Sequence, residues 1–115
     1  MKIVNRQEFC NLPSGTIFSD YEPMAFWGLK IKGDTIFYNG VASDFCYDDL
    51  IGNVECSGSD EFFDILHDSI RNKTEFSLDF NNTERDGMYE ESSFYAVYNN
   101  DDVLNLLKRI QSLIK

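Results

Sequence analysis

From Gly33 to Ile70 the chain has no lysine or arginine. A surface built from that stretch has no cations with which to displace counterions from phosphates, so direct binding of DNA or RNA is disfavoured. The stretch carries nine acids instead, Asp34, Asp44, Asp48, Asp49, Glu55, Asp60, Glu61, Asp64 and Asp68. Their field also repels anionic lipid headgroups. Proline and glycine are sparse, at 2 and 7 residues, which argues against a linker or a collagen-like region. The 3 cysteines, Cys10, Cys46 and Cys56, are odd in number and form no C-x-x-C pair. A disulfide framework is therefore not expected, and a reducing compartment is the default. No run approaches the ~18 apolar residues of a membrane span, and the N-terminus lacks the apolar core of a signal peptide. The expectation is a cytoplasmic protein.

Catalytic signatures are equally scarce. His67 is the single histidine, and it falls in the middle of a predicted helix with no nucleophile placed beside it. Neither G-x-x-x-x-G-K-S/T nor G-x-G-x-x-G occurs, so no phosphate cradle is present. No Cys or His pair is spaced to clasp zinc. The segment Asp79 to Glu90 places Asp79, Asn81, Thr83 and Glu90 as a calcium loop would, but Glu84 stands where the sharp turn demands glycine. Carboxylates are so numerous that finding two of them together identifies no acid–base pair. The chain is therefore read as a binding protein and not an enzyme, with no cofactor and no metal.

What is present suffices for one folded domain spanning residues 1–115. Apolar residues make up 43% and aromatics 15%, well above a disordered composition. Asn5 followed by Glu8 is a capping box for a short N-terminal helix ended by Pro13-Ser14-Gly15. Thr16 to Asp20 reads as a strand, and so does Ala25 to Lys32, with Trp27, Leu29 and Ile31 on one face and Lys30 and Lys32 on the other. Lys32 to Thr35 reads as a hairpin turn into a further strand, Thr35 to Tyr38. Phe45 to Ile51, Thr74 to Phe80 and Phe94 to Tyr98 are the remaining strand candidates. Glu61 to Arg71 is predicted helical, with Phe62, Leu66 and Ile70 in an apolar stripe and Phe63 and Ile65 widening it. A second helix, capped by Asn99 or Asn100, follows, with Val103, Leu106, Leu107, Ile110, Leu113 and Ile114 on one face. The fold class is α+β, a mainly antiparallel sheet packed by two helices, with a short N-terminal helix.

Two constellations suit binding. Asp44, Asp48 and Asp49, together with Asp60, Glu61 and Asp64, are expected to form an acidic face for a basic, nucleic-acid-binding protein surface. Tyr38, Phe45 and Tyr47 supply aromatic anchors beside it. Alternatively, Arg85 with Tyr89, helped by Lys30, Lys32 and Arg109, forms a small-phosphate site in which a ring stacks on a base. The ordinary role for Arg85 is to tie its turn to carboxylates such as Asp79 or Asp86. The supply of aromatics also points to a possible homodimer face.

Leu12-Pro13-Ser14-Gly15-Thr16-Ile17-Phe18, Arg85-Asp86-Gly87 and Phe94-Tyr95-Ala96-Val97-Tyr98 resemble segments of small acidic proteins encoded by bacteriophages and prophages. The resemblance spans most of the chain, and its motifs are diagnostic of no activity. It implies a phage accessory protein acting in a bacterial cytoplasm. Such proteins inhibit a host defence protein, by mimicking nucleic acid or by sequestering a cyclic nucleotide signal. It carries over no site residue.

Overall fold

The computed structural model describes every residue from Met1 to Lys115. The chain opens with strand β1 (Lys2–Asn5), which runs directly into helix α1 (Arg6–Cys10). The capping box is made as the sequence predicts. The Asn5 side chain accepts from the Glu8 backbone at 2.8 Å, and the Glu8 carboxylate accepts from the Asn5 backbone at 3.4 Å. Strand β1 is not among the predicted elements; it pairs with a strand formed about 90 residues later, a partner that local pattern does not reveal.

Strands β2 (Ile17–Glu22), β3 (Ala25–Tyr38) and β4 (Val41–Asp49) form an antiparallel meander. The predicted turn at Lys32 to Thr35 is absent: β3 continues through it, and the register shifts there in a bulge against β4. Gly33 passes close to its neighbour, since a Cβ there would meet the Cys46 carbonyl at 3.3 Å. The hairpin turn lies further on, at Asn39-Gly40, where both residues adopt positive φ, 50° and 77°. That is the geometry a type I′ turn requires, and Asn-Gly is the pair that meets it most easily.

Strand β8 (Phe94–Val97) inserts between β1 and β2, and β7 (Glu84–Arg85) flanks β4. The sheet order is β1-β8-β2-β3-β4-β7, all antiparallel. A separate two-stranded clip joins β5 (Asn53–Val54) to β6 (Leu78–Asp79). Of the predicted strand from Thr74 to Phe80, only β6 forms; Phe76, Leu78 and Phe80 find no apolar layer and stay exposed.

The core sits under α1. Phe9 is its centre, with ring centroids 4.6 Å from Phe18, 4.9 Å from Phe45 and 4.3 Å from Tyr95. Val4, Cys10, Ala42 and Val97 complete it. The expected polarity of β3 is reversed. Lys32 is 1% exposed, whereas Trp27 is 48% exposed. The Lys32 ammonium is held by the Gly33 carbonyl at 3.2 Å and the Thr35 hydroxyl at 2.6 Å, and Thr35 in turn donates to the Cys10 carbonyl at 2.7 Å. The lysine thus reaches the C-terminal end of α1, where orphan carbonyls favour a cation.

Helices α2 (Ser59–Asn72) and α3 (Asn100–Leu113) occupy the predicted segments. Asn99 caps α3, accepting from the Asp102 backbone at 2.8 Å. The class is α+β, with an antiparallel six-stranded sheet. The long helices do not fill the layer expected of them, because neither buries a single residue. The short α1 closes the core on the sheet instead, and sheet residues such as Phe26, Trp27, Phe37 and Phe94 stay exposed. The radius of gyration shows the consequence. It is 16.8 Å, against about 13 Å for a compact domain of this length. No helix is long and apolar enough to cross a membrane.

Candidate functional site

The six acids expected to make one face fall into two separate places. Asp44 is 0% exposed and belongs to the interior. Its Oδ1 accepts from Arg6 Nη2 at 3.2 Å and from the Gly87 backbone at 3.0 Å, and its Oδ2 accepts from Arg85 Nε at 2.5 Å. Burial alone would push this carboxyl up. The hydrogen bonds from Arg85, Phe45 and Gly87 outweigh burial and hold it below the usual aspartate value. Asp44 is therefore removed from any partner surface. Two arginines distant in sequence close on it.

Arg6 completes this cage. It donates from Nη1 to Asp86 and to the Tyr95 hydroxyl, both at 2.9 Å, and from Nη2 to the Ser43 carbonyl at 3.1 Å. Its guanidinium also lies 5.5 Å from the Phe45 ring centroid. No sequence pattern marked Arg6, which sits one residue after a helix cap. Asp48 is half-buried on β4, and its Oδ1 has no hydrogen-bond partner. Asp49 is exposed at the end of β4, opposite Lys30.

The other three acids share one helix. Asp60, Glu61 and Asp64 are exposed on α2, and Asp68 joins them. Four acids against Arg71 give α2 a net charge of −3. Glu61 is held below its usual pKa by hydrogen bonds from the Ser57 side chain and backbone. It thus ties the entry of the helix, whose Gly58 N-cap offers no side chain. The acids fall on one side of α2. Phe62, Ile65, Leu66 and Ile70 fall on the other, with Phe63 and Ile70 exposed and the rest half-buried.

The residues of the phosphate alternative are only partly assembled. Arg85 Nη2 donates to the Tyr89 hydroxyl, with the guanidinium 5.7 Å from the ring centroid, so these two meet as expected. The carboxylate that ties Arg85 is Asp44, however, and neither Asp79 nor Asp86. Lys30 is elsewhere: it pairs with Asp20 at 2.7 Å and stands 4.8 Å from the Tyr47 ring centroid. Lys32 is in the core, and Arg109 is exposed on α3.

The largest cavity, about 740 Å³, lies between the α1–β2 connection and the start of α3. Leu12, Pro13, Thr16, Tyr98 and Val103 line it, and no Asp, Glu, His or Cys does. Nowhere do three His, Cys, Asp or Glu side chains converge as a bound metal ion would require. All three cysteines are free; Cys10 is buried, Cys46 half-buried and Cys56 exposed. His67 is exposed on the acidic side of α2.

The distribution of charge sharpens the acidic surface. The chain carries −10, and the interior keeps Arg6, Lys32 and Asp44, a net +1, so the surface carries −11. Lys30 and Arg85 are held in ion pairs. Comparison with known protein families, with curated proteins and with solved structures finds no match.

Proposed function

We propose that this chain is a non-enzymatic binding protein that captures a basic protein surface, and that α2 is the element that docks. One observation carries this reading: a helix of 14 residues with a net charge of −3 buries none of them. Amphipathic helices of this kind lay their apolar stripe in a groove on a partner. Phe63 and Ile70, both exposed, are the anchors, and Asp60, Glu61, Asp64 and Asp68 flank them. The matching partner offers an apolar groove rimmed by lysine and arginine, as nucleic-acid-binding proteins do. Long-range attraction from the acidic surface speeds the encounter and turns away acidic competitors. The resemblance to phage proteins makes a host defence protein in the bacterial cytoplasm the proposed target.

The experiment compares capture of partners from host lysate by the wild-type chain and by variants. Reversing Asp60, Glu61 and Asp64 to lysine should abolish the complex, and so should Phe63→Ser with Ile70→Ser. Reversing Glu22, Glu90 and Glu91, the same number of exposed acids away from α2, controls for net charge and should weaken capture only modestly. High salt should release the partner. Undiminished capture by the α2 variants would overturn the proposal.

The nucleotide alternative keeps one supporting observation, the pairing of Arg85 with Tyr89 on a side chain 52% exposed. An anion arriving there meets the Asp44 carboxylate already bound to Arg85, which disfavours it. Calorimetry with a panel of cyclic nucleotides tests it directly, since a sponge binds without any protein partner.

A further inference from the structure

A second cavity, about 420 Å³, opens beside one end of the aromatic core, between the β2–β3 hairpin and the connection from β7 to β8. Cross-strand register builds its floor. Asp20 stands opposite Trp27 on β3 and opposite Tyr95 on β8, so the three side chains form one row on one face of the sheet. Tyr95 ends that row inside the core, whereas Trp27, at its other end, is 48% exposed. Glu22 follows two residues after Asp20 along β2 and so shares its face. The connection supplies Met88, which is 70% exposed, and Glu90.

Twelve residues line this cleft; four are Asp or Glu, and none is Lys, Arg or His. Two of the four carboxylates are already matched. Asp20 pairs with Lys30 at 2.7 Å and Asp86 with Arg6 at 2.9 Å. The carboxylates of Glu22 and Glu90 make no ion pair and no hydrogen bond, and both residues are exposed. Two negative charges therefore stand unbalanced in a concave site with an exposed indole beside them.

We propose that this cleft binds a small organic dication, an alkyl diamine of the polyamine class. Spacing separates this ligand from a metal ion. Nowhere do three His, Cys, Asp or Glu side chains converge as a metal requires, and calcium takes about six to eight oxygens at once. The two positive charges are therefore carried apart, on a body with length. Trp27 and Met88 give that body apolar walls, and the indole face attracts an ammonium placed over it. The volume falls within the range of small-molecule sites, about 300–1,000 Å³. The charge of −10 draws any cation toward the chain. The cleft selects among those cations by shape and by the placing of Glu22 and Glu90.

Trp27 is the single tryptophan of the chain, so its fluorescence reports from the cleft itself. Titration with putrescine at constant ionic strength should change the emission saturably, and sodium chloride should not. Butylamine has the same carbon chain and one charge, as a lysine side chain of a protein partner would. It should bind at least about 5-fold more weakly. Glu22→Gln with Glu90→Gln should weaken putrescine binding about 5- to 10-fold, the range for two exposed ion pairs. Asp60→Asn with Asp64→Asn removes the same charge from α2 and should bind like the wild type. Trp27→Leu, followed by calorimetry because the fluorophore is gone, should bind about 3-fold more weakly. All five positions are exposed, and circular dichroism confirms that the variants keep the fold. A sodium chloride response equal to that of putrescine, unchanged binding by the Glu22/Glu90 variant, or an equal loss in the α2 variant overturns the proposal. Equal binding of the two amines overturns the dication. The α2 residues lie outside the cleft, so the partner-capture assay succeeds or fails independently.

Discussion

Arg6 Nη2 lies 3.2 Å from Asp44 Oδ1, with both side chains sealed from solvent, and the contact ties α1 to β4. It holds the helix that supplies Phe9 to the core. An ion pair in the interior is a poor source of net stability, but removing one partner strands the other in a dry site. Asp44→Ala leaves Arg6 with Asp86 and leaves Arg85 with no carboxylate. Unfolding in urea should show a loss of about 3–5 kcal/mol, the range for a broken buried pair. Arg85→Ala should lose less, because that side chain is half in solvent.

Acid should act through the same carboxylate. The pKa of Asp44 is lower folded than unfolded. Its contribution is complete above the ordinary aspartate value of about 3.9 and is lost as pH falls through the depressed folded value. Asp44→Asn should therefore flatten the acid limb of the stability curve. Thermal melts from neutral pH downward check this, and an unchanged acid slope would contradict it.

Lys32 acts with the same sign, in an alkaline window. Burial lowers its pKa, with partial compensation from neighbouring groups. The unfolded chain then binds more protons than the folded one between the depressed value and about 10.4, so this residue makes stability rise with pH across that window. Tyr47 opposes it, being pushed up to about 12 by burial and by its hydrogen bond to Glu84. The comparison that isolates the lysine is Lys32→Met against wild type. The variant should be at least as stable at neutral pH, and the advantage should shrink as pH rises. Stability curves measured from pH 7 upward provide the check.

The exposed helices predict an asymmetry in tolerance. Ile70→Ala and Leu113→Ala should leave the urea midpoint almost unmoved, since both side chains are 70% exposed. Phe9→Ala should cost about 3–5 kcal/mol, as expected for a buried aromatic. A large loss from either helix variant would show that its stripe packs on the sheet.

At the β3–β4 turn, Gly40→Ala tests the backbone alone. Nothing lies within 4 Å of the position a Cβ would take, yet its φ is +77°. The strain of a left-handed alanine should cost roughly 1–2 kcal/mol. Chemical unfolding of the single variant measures it.

Elements with a local chemical signature were legible in the sequence. Asn5 with Glu8 and the Asn99 cap marked α1 and α3, and the period of Phe62, Leu66 and Ile70 marked α2. The Asn39-Gly40 pair carried an equally local hairpin signal, but the alternation ending at Lys32 drew the turn six residues too early. Tertiary facts were not legible. Amphipathicity says that a stripe can be buried and not where, so the helices were placed on the sheet. Lys32 was assigned to water because alternation ranks lysine as the outer face. The neighbouring Thr35 and the end of α1 supply hydrogen bonds that make an inner position tolerable. Asp44 entered the candidate face because neither Arg6 nor Arg85 is near it in sequence. On the acidic helix, position and charge followed from sequence, whereas its exposure is a property of the fold.

The chain leaves the sheet for α2 at Asn53–Val54 and returns at Leu78–Asp79, through the clip of β5 and β6. Gly52 lets the two crossings close, as a Cβ there would come within 2.9 Å of the Asp79 carbonyl. Entry and exit thus share a single doorway. Whatever lies between them can be lengthened, recoded or exchanged without renegotiating the packing around Phe9. The excursion that carries α2 is in this sense an interchangeable cartridge on a fixed handle, replaceable at little penalty to folding.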